Sequence, residues 1–132
     1  MGSPTDWLYF AREDLRVAEL TLSNEIYNQV CFHSQQCCEK ALKAWLAHQG
    51  IESPRKHQLS VLLALSTIDI FAELGGDIVR LDRFYIPTRY PDVLAGSLPE
   101  GLPNKANAEE AIDTARKVLH RVEQHISTQP SR

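Results

Sequence analysis

The sequence predicts an all-α fold, an antiparallel bundle of four to five helices. Apolar residues recur at three- and four-residue steps from Trp7 onward, the period of a helix with one buried face. Pro, Asn and Gly stand at the ends of these runs, where they start and stop helices. No sustained alternation or turn dipeptide between β-branched runs signals a hairpin.

Helix one spans roughly residues 6–22, because Pro4-Thr5-Asp6 is a good start and Trp7, Ala11, Leu15, Ala18 and Leu22 form its stripe. After the turn at Ser23-Asn24, a second helix runs from about Glu25 to Gln49, and Gly50 supplies a left-handed cap. Val30, Ser34, Cys37, Ala41, Ala44, Trp45 and His48 share one face, while Phe32, Leu42 and Leu46 lie round the other side beside Glu39. A helix apolar over half its circumference needs more than one packing partner. It is expected both at the centre of the bundle and at a seam between two subunits.

Leu59 to Leu65 give a short apolar helix within Gln58–Thr67. Asp69 to Leu74 add a turn or two before Gly75-Gly76 stops them. Ile78, Leu81, Tyr85 and Ile86 mark another helix that Pro87 ends. Pro87 to Ala106 is a long irregular loop rich in proline, of a length more often functional than neutral. In the last helix Asn107 is the cap, Glu110 its capping-box partner, and Ala111, Ala115, Val118, Leu119, Val122 and Ile126 the buried stripe.

A length of 132 residues, 43% apolar and 23% charged, fits one ordinary domain over residues 1–132. A net charge of −3 argues against a protein that coats nucleic acid indiscriminately. No run is long enough to span a membrane and no signal core opens the chain, so it reads as cytoplasmic. Cys31, Cys37 and Cys38 lie within one helix, poor geometry for a framework of disulfides, and read as reduced thiols.

His33 and Cys37 have the spacing of two metal ligands on a helix, but no second pair completes a site. No metal and no cofactor are expected. Gly75-Gly76 lacks the surroundings of a phosphate loop, and there is no nucleophile elbow. What remains is His57 with Tyr85, Thr88, Arg89, Tyr90 and Asp92.

Prolines on both sides hold the segment of Arg89 extended, which suits an Arg that clasps a phosphate. Tyr85 and Tyr90 can stack a base, and Asp92 can orient Arg89. The plainer reading of Arg89 and Asp92 is an ion pair that staples the loop to the bundle. His57, at the start of helix three, reads either as a turn residue or as an acid–base group. Lys40 and Lys43 are either part of the binding face or partners of Glu39 and water.

Several blocks together resemble the HEPN domain family. They are Trp7 and Ala11 followed by Asp14-Leu15 and Ala18, then Gln35-Gln36-Cys-Cys-Glu39-Lys40-Ala41-Leu42-Lys43-Ala44, His57-Gln-Leu59, and Leu81-Asp82-x-x-Tyr85-x-x-x-Arg89-Tyr90-Pro91-Asp92. The likeness runs from about Trp7 to Ile126. It implies a mainly antiparallel helical bundle, commonly a homodimer, that binds a nucleotide or RNA. It also implies a minimal nucleotidyltransferase as partner, in a two-component or toxin–antitoxin pair.

Ribonucleases of that family carry an Arg and, after four to six intervening residues, a His, a pair that acts without metal. Here the positions after Arg89 hold Leu94, Ala95 and Gly96, and no other Arg has a His at that distance. Lys43 and His48 have the spacing, but Lys does not replace Arg in a bidentate clamp. The residues expected at a nucleotide or RNA site are therefore His57, Tyr85, Arg89, Tyr90, Asp92, Lys40 and Lys43. Arg89 and His57 are the candidates for an endoribonuclease with a rearranged site.

Overall fold

The computed structural model describes residues 2–85, 98 and 101–128. Those residues form five α-helices and two short 3₁₀ turns, with no strand among them. The helices are α1 (Pro4–Ser23), α2 (Tyr27–His48), α3 (Leu59–Leu65), α4 (Gly75–Arg80) and α5 (Lys105–Thr128). The all-α expectation holds.

Helix α1 starts earlier than its apolar stripe suggests, since Ser3 caps it and the Asp6 side chain returns to the Ser3 amide, with Pro4 in the first turn. Asn24, Glu25 and Ile26 then turn the chain back on itself. The Ile26 amide reaches the Thr21 carbonyl at 2.9 Å and Glu25 sits at φ 60°, a left-handed position that glycine fills more comfortably. At the other end of α2, Gly50 takes that role as expected, at φ 76°, with the Ile51 amide 2.8 Å from the Leu46 carbonyl.

The centre of the fold is α2. No residue from Tyr27 to His48 is exposed, and α1, α5, α3 and the 3₁₀ turn Leu81–Phe84 all pack on it. Its wide apolar arc is therefore covered within one chain. The arc was expected to be shared between subunits as well, and no such surplus remains: α1 takes one side and α5 another. The large apolar side chains still exposed on a long helix belong to α1 instead: Tyr9, Phe10, Val17 and Leu20.

Between α3 and α5 the boundaries differ from expectation. Helix α3 is shorter than Gln58–Thr67, and Trp45 donates its indole N–H to Ser66 Oγ (3.1 Å) and the Ile68 carbonyl (3.3 Å), holding the chain extended after it. The Asp69 carboxylate accepts from the Phe71 and Ala72 amides and sets up the 3₁₀ turn Ala72–Leu74. Gly75-Gly76 does not stop the chain there. Gly75 is helical (φ −53°, ψ −47°) and opens α4, because glycine permits helix even though it does not favour it. After α4 the backbone tightens into the 3₁₀ turn Leu81–Phe84, and Tyr85 is already extended, so the helix expected to reach Ile86 ends sooner.

The cap of α5 is Asn104. Its Oδ1 accepts from the Asn107 amide (2.9 Å) while Asn107 Oδ1 accepts from the Asn104 amide (3.0 Å). Asn107 thus has the returning role assigned to Glu110. Residues 86–97, 99 and 100, with most of the expected Pro87–Ala106 loop, lie outside the described residues.

Candidate functional site

Gln35, Glu39 and Lys43 follow one another at four-residue steps along α2, so they stand in a row on one helical face. All three are buried: Gln35 is 0% exposed, Glu39 3% and Lys43 6%. Burial of such groups is tolerated only when they are paired. Lys43 Nζ lies 3.0 Å from Glu39 Oε2, and the ammonium sits 5.2 Å from the centre of the Trp7 ring, which α1 brings from the other side.

The remaining partner comes from the segment after α2. The Gln35 side-chain amide donates to the His57 carbonyl (3.0 Å) and fixes the backbone there. His57 Nδ1 then falls 3.2 and 3.1 Å from the two Glu39 oxygens. A carboxylate paired with an ammonium can only accept, so Nδ1 carries the proton and Nε2 is left free of Glu39. The His57 side chain is 49% exposed, and its ring stacks on Tyr85 with centroids 5.3 Å apart and planes 17° from parallel.

Asp82 ties these pieces together. Its carboxylate accepts from the Leu59 amide (2.6 Å) and the Ser60 amide (3.2 Å), capping α3 from a distance where Gln58 makes no side-chain cap. One acidic residue thus joins the His57 segment to the turn that leads into Tyr85. His57 was expected on the start of helix three; it lies two residues before Leu59, and its ring answers to Glu39 rather than to the helix end.

Of the expected site residues, His57, Tyr85 and Lys43 are brought together. Lys40 is not: it forms an ion pair with Asp14 of α1, whose other oxygen lies 2.8 Å from His33 Nδ1. Lys43, and not Lys40, is the partner of Glu39. Arg89, Tyr90 and Asp92 lie outside the described residues. Sequence reasoning missed Trp7, Gln35, Glu39 and Asp82 as parts of this site. The signal for two of them was present, since polar residues at every fourth position, on a helix apolar over half its circumference, form a row that burial must satisfy.

The thiols take no part. Burial pushes Cys31 up to about 12, and drives Cys37 and Cys38 further above the ordinary thiol range. His33, which might have joined Cys37 on a metal, is occupied by Asp14. Among the described residues no three His, Cys, Asp or Glu side chains are grouped to hold an ion. None of the helices described is long and apolar enough to cross a membrane.

These elements make an all-α bundle domain, wrapped around one buried, polar-striped helix, with a histidine steadied at its surface. Residues 5–125 match the HEPN domain family, and the chain belongs to it. It is 36% identical over 120 residues to a Methanocaldococcus jannaschii protein named as a candidate toxin, MJ1304, a match covering 83% of this chain and 78% of the relative. Among solved structures it is similar to ST0689, an archaeal HEPN homologue, at 37% identity and a TM-score of 0.76, over 96% of this chain and 99% of the other. TT1696 from Thermus thermophilus gives a TM-score of 0.76 at 36% identity, over 92% of this chain and 96% of that one.

Proposed function

We propose that this HEPN chain binds a nucleotide or a single-stranded RNA segment on the face where His57 and Tyr85 meet, together with Arg89, Tyr90 and Asp92. On this reading it acts as a homodimer and as the partner of a minimal nucleotidyltransferase, in a toxin–antitoxin pair. The observation that carries it is the held and half-exposed His57 ring. Glu39 and Gln35 remove its freedom before any ligand arrives, so little ordering entropy is lost on binding. Nε2, which Glu39 does not engage, can meet a phosphate or a base edge, and the paired rings of His57 and Tyr85 are the kind of side chain on which a base stacks. Arg55 and Lys56, exposed beside it, add positive charge.

Calorimetry with ATP and with a short single-stranded RNA tests this. Binding by the native protein that His57→Ala and Arg89→Ala each weaken is the expected result. Heat unchanged by either substitution would refute the site.

One arrangement also supports a metal-independent endoribonuclease. A buried carboxylate behind Nδ1 is what orients a histidine that exchanges protons through Nε2, and Arg89 would then stabilise charge on the phosphorus. Labelled RNA incubated with a chelator distinguishes the two readings. Cleavage lost in both His57→Ala and Arg89→Ala supports the enzyme; binding without cleavage supports the partner module.

A further inference from the structure

We infer that the outer face of α1 is a self-complementary surface on which a second copy of this chain docks with the two α1 helices antiparallel. The inference rests on the homodimer proposed above and gives it a face.

The face is unusual for its exposure. Tyr9 is 50% exposed, Phe10 49%, Val17 36% and Leu20 56%, all on the side of α1 turned away from Ala11 and Ala18 in the core. Single exposed apolar residues are ordinary, but four on one stripe of a twenty-residue helix make a patch that usually has a partner. Two charges interrupt the stripe, Glu13 and Arg16.

These charges differ from their neighbours. Arg12 and Glu19, on the flank toward α5, are paired with Glu123 (2.6 Å) and Arg116 (3.3 Å) of that helix. Glu13 and Arg16 have no partner among the described residues, not even each other. At 100° per residue they project with Tyr9 and Leu20 onto the open side.

An antiparallel copy satisfies all six residues at once. With a twofold axis crossing near residues 14 and 15, Tyr9 faces Leu20 of the partner subunit. Phe10 then meets Val17 of the partner subunit, and Glu13 meets Arg16 of the partner subunit. Symmetry makes each contact twice, as an isologous interface requires. A parallel pairing would set Glu13 against its own copy and lose the charge match.

Sedimentation of the purified chain and a cross-linking variant test this. The native protein is expected to be a dimer. Leu20→Glu combined with Tyr9→Glu should raise its dissociation constant by roughly a hundredfold, the cost of burying charge on an apolar seam. Glu13→Arg alone should weaken it by about fivefold, and adding Arg16→Glu should restore it.

Glu13→Cys gives a second, independent reading close to the proposed axis. Cys31, Cys37 and Cys38 are all buried, so a new surface thiol would be the reactive one, and mild oxidation should yield a covalent dimer. A native dimer that Leu20→Glu/Tyr9→Glu leaves intact, with no cross-link from Glu13→Cys, would overturn the α1 seam while leaving homodimerisation standing. A native monomer would overturn both.

Discussion

Two clusters on α2 contain the same three kinds of side chain. Toward α1, Asp14 holds Lys40 and His33; one face round, Glu39 holds Lys43 and His57. Their surroundings are opposite. In the first, all three side chains are alike, 11% exposed at Asp14 and 23% and 25% at His33 and Lys40. In the second the acid and the lysine are sealed at 4% and 8%, while the histidine is half open at 49%. A cluster whose members are all partly wet is a staple between two helices. One with a dry interior and a single exposed tip concentrates its rigidity on that tip, the pattern of a site supported from behind.

The sharpest way to break this contrast is to remove the two acids. Glu39→Ala leaves Lys43 charged and buried with no counter-ion, and a loss of about 3–5 kcal/mol is expected in urea unfolding. Replacing both partners, Glu39→Leu with Lys43→Met, should recover most of that stability, because no charge is then stranded. It should also release His57. Asp14→Ala should cost less, about 1–2 kcal/mol, since Lys40 and His33 can turn to water. Equal losses at the two sites would remove the distinction between staple and support.

Next in size is the remote cap. Asp82→Ala removes the acceptor from the first two amides of α3, at a cost of about 1 kcal/mol. The amides of Leu59 and Ser60 should lose protection from hydrogen exchange, and the Tyr85 end of the site should loosen with them. If the site depends on this tie, ligand affinity falls further than stability does.

Much of the fold was legible because helix period and end signals are local. Trp7 to Leu22, the Gly50 cap and the α5 stripe were all readable within a few turns of chain. The segment from Gln58 to Tyr85 was less so. Its turns are short and its stops are set by contacts from elsewhere, such as Trp45 on Ser66 and Asp82 on Leu59.

The same division holds at the site. His57, Tyr85 and Lys43 could be picked as chemistry-bearing residues, but which lysine joins them depends on the packing of α1, which supplies Asp14 to one and Trp7 to the other. For a related reason the apolar arc of α2, expected to be shared with a second subunit, is covered by α1 and α5 of the same chain. Amphipathic excess on α2 measures how much must be covered, not whether a neighbouring helix or another molecule covers it.

The smallest expected change in stability separates the clusters most cleanly. His33→Gln and His57→Gln should each stay within about 0.5 kcal/mol of the native protein, because neither ring is deeply buried and glutamine can still donate to the facing carboxylate. Only His57→Gln removes a ring that is half exposed and stacked on Tyr85. Parallel titrations with the same short RNA should therefore show native affinity for His33→Gln and a loss of roughly tenfold for His57→Gln, about the worth of one stacked or charge-assisted contact. Loss in both would mean that the Asp14 cluster also reaches the ligand, and that its partial exposure marks a binding edge instead of a staple.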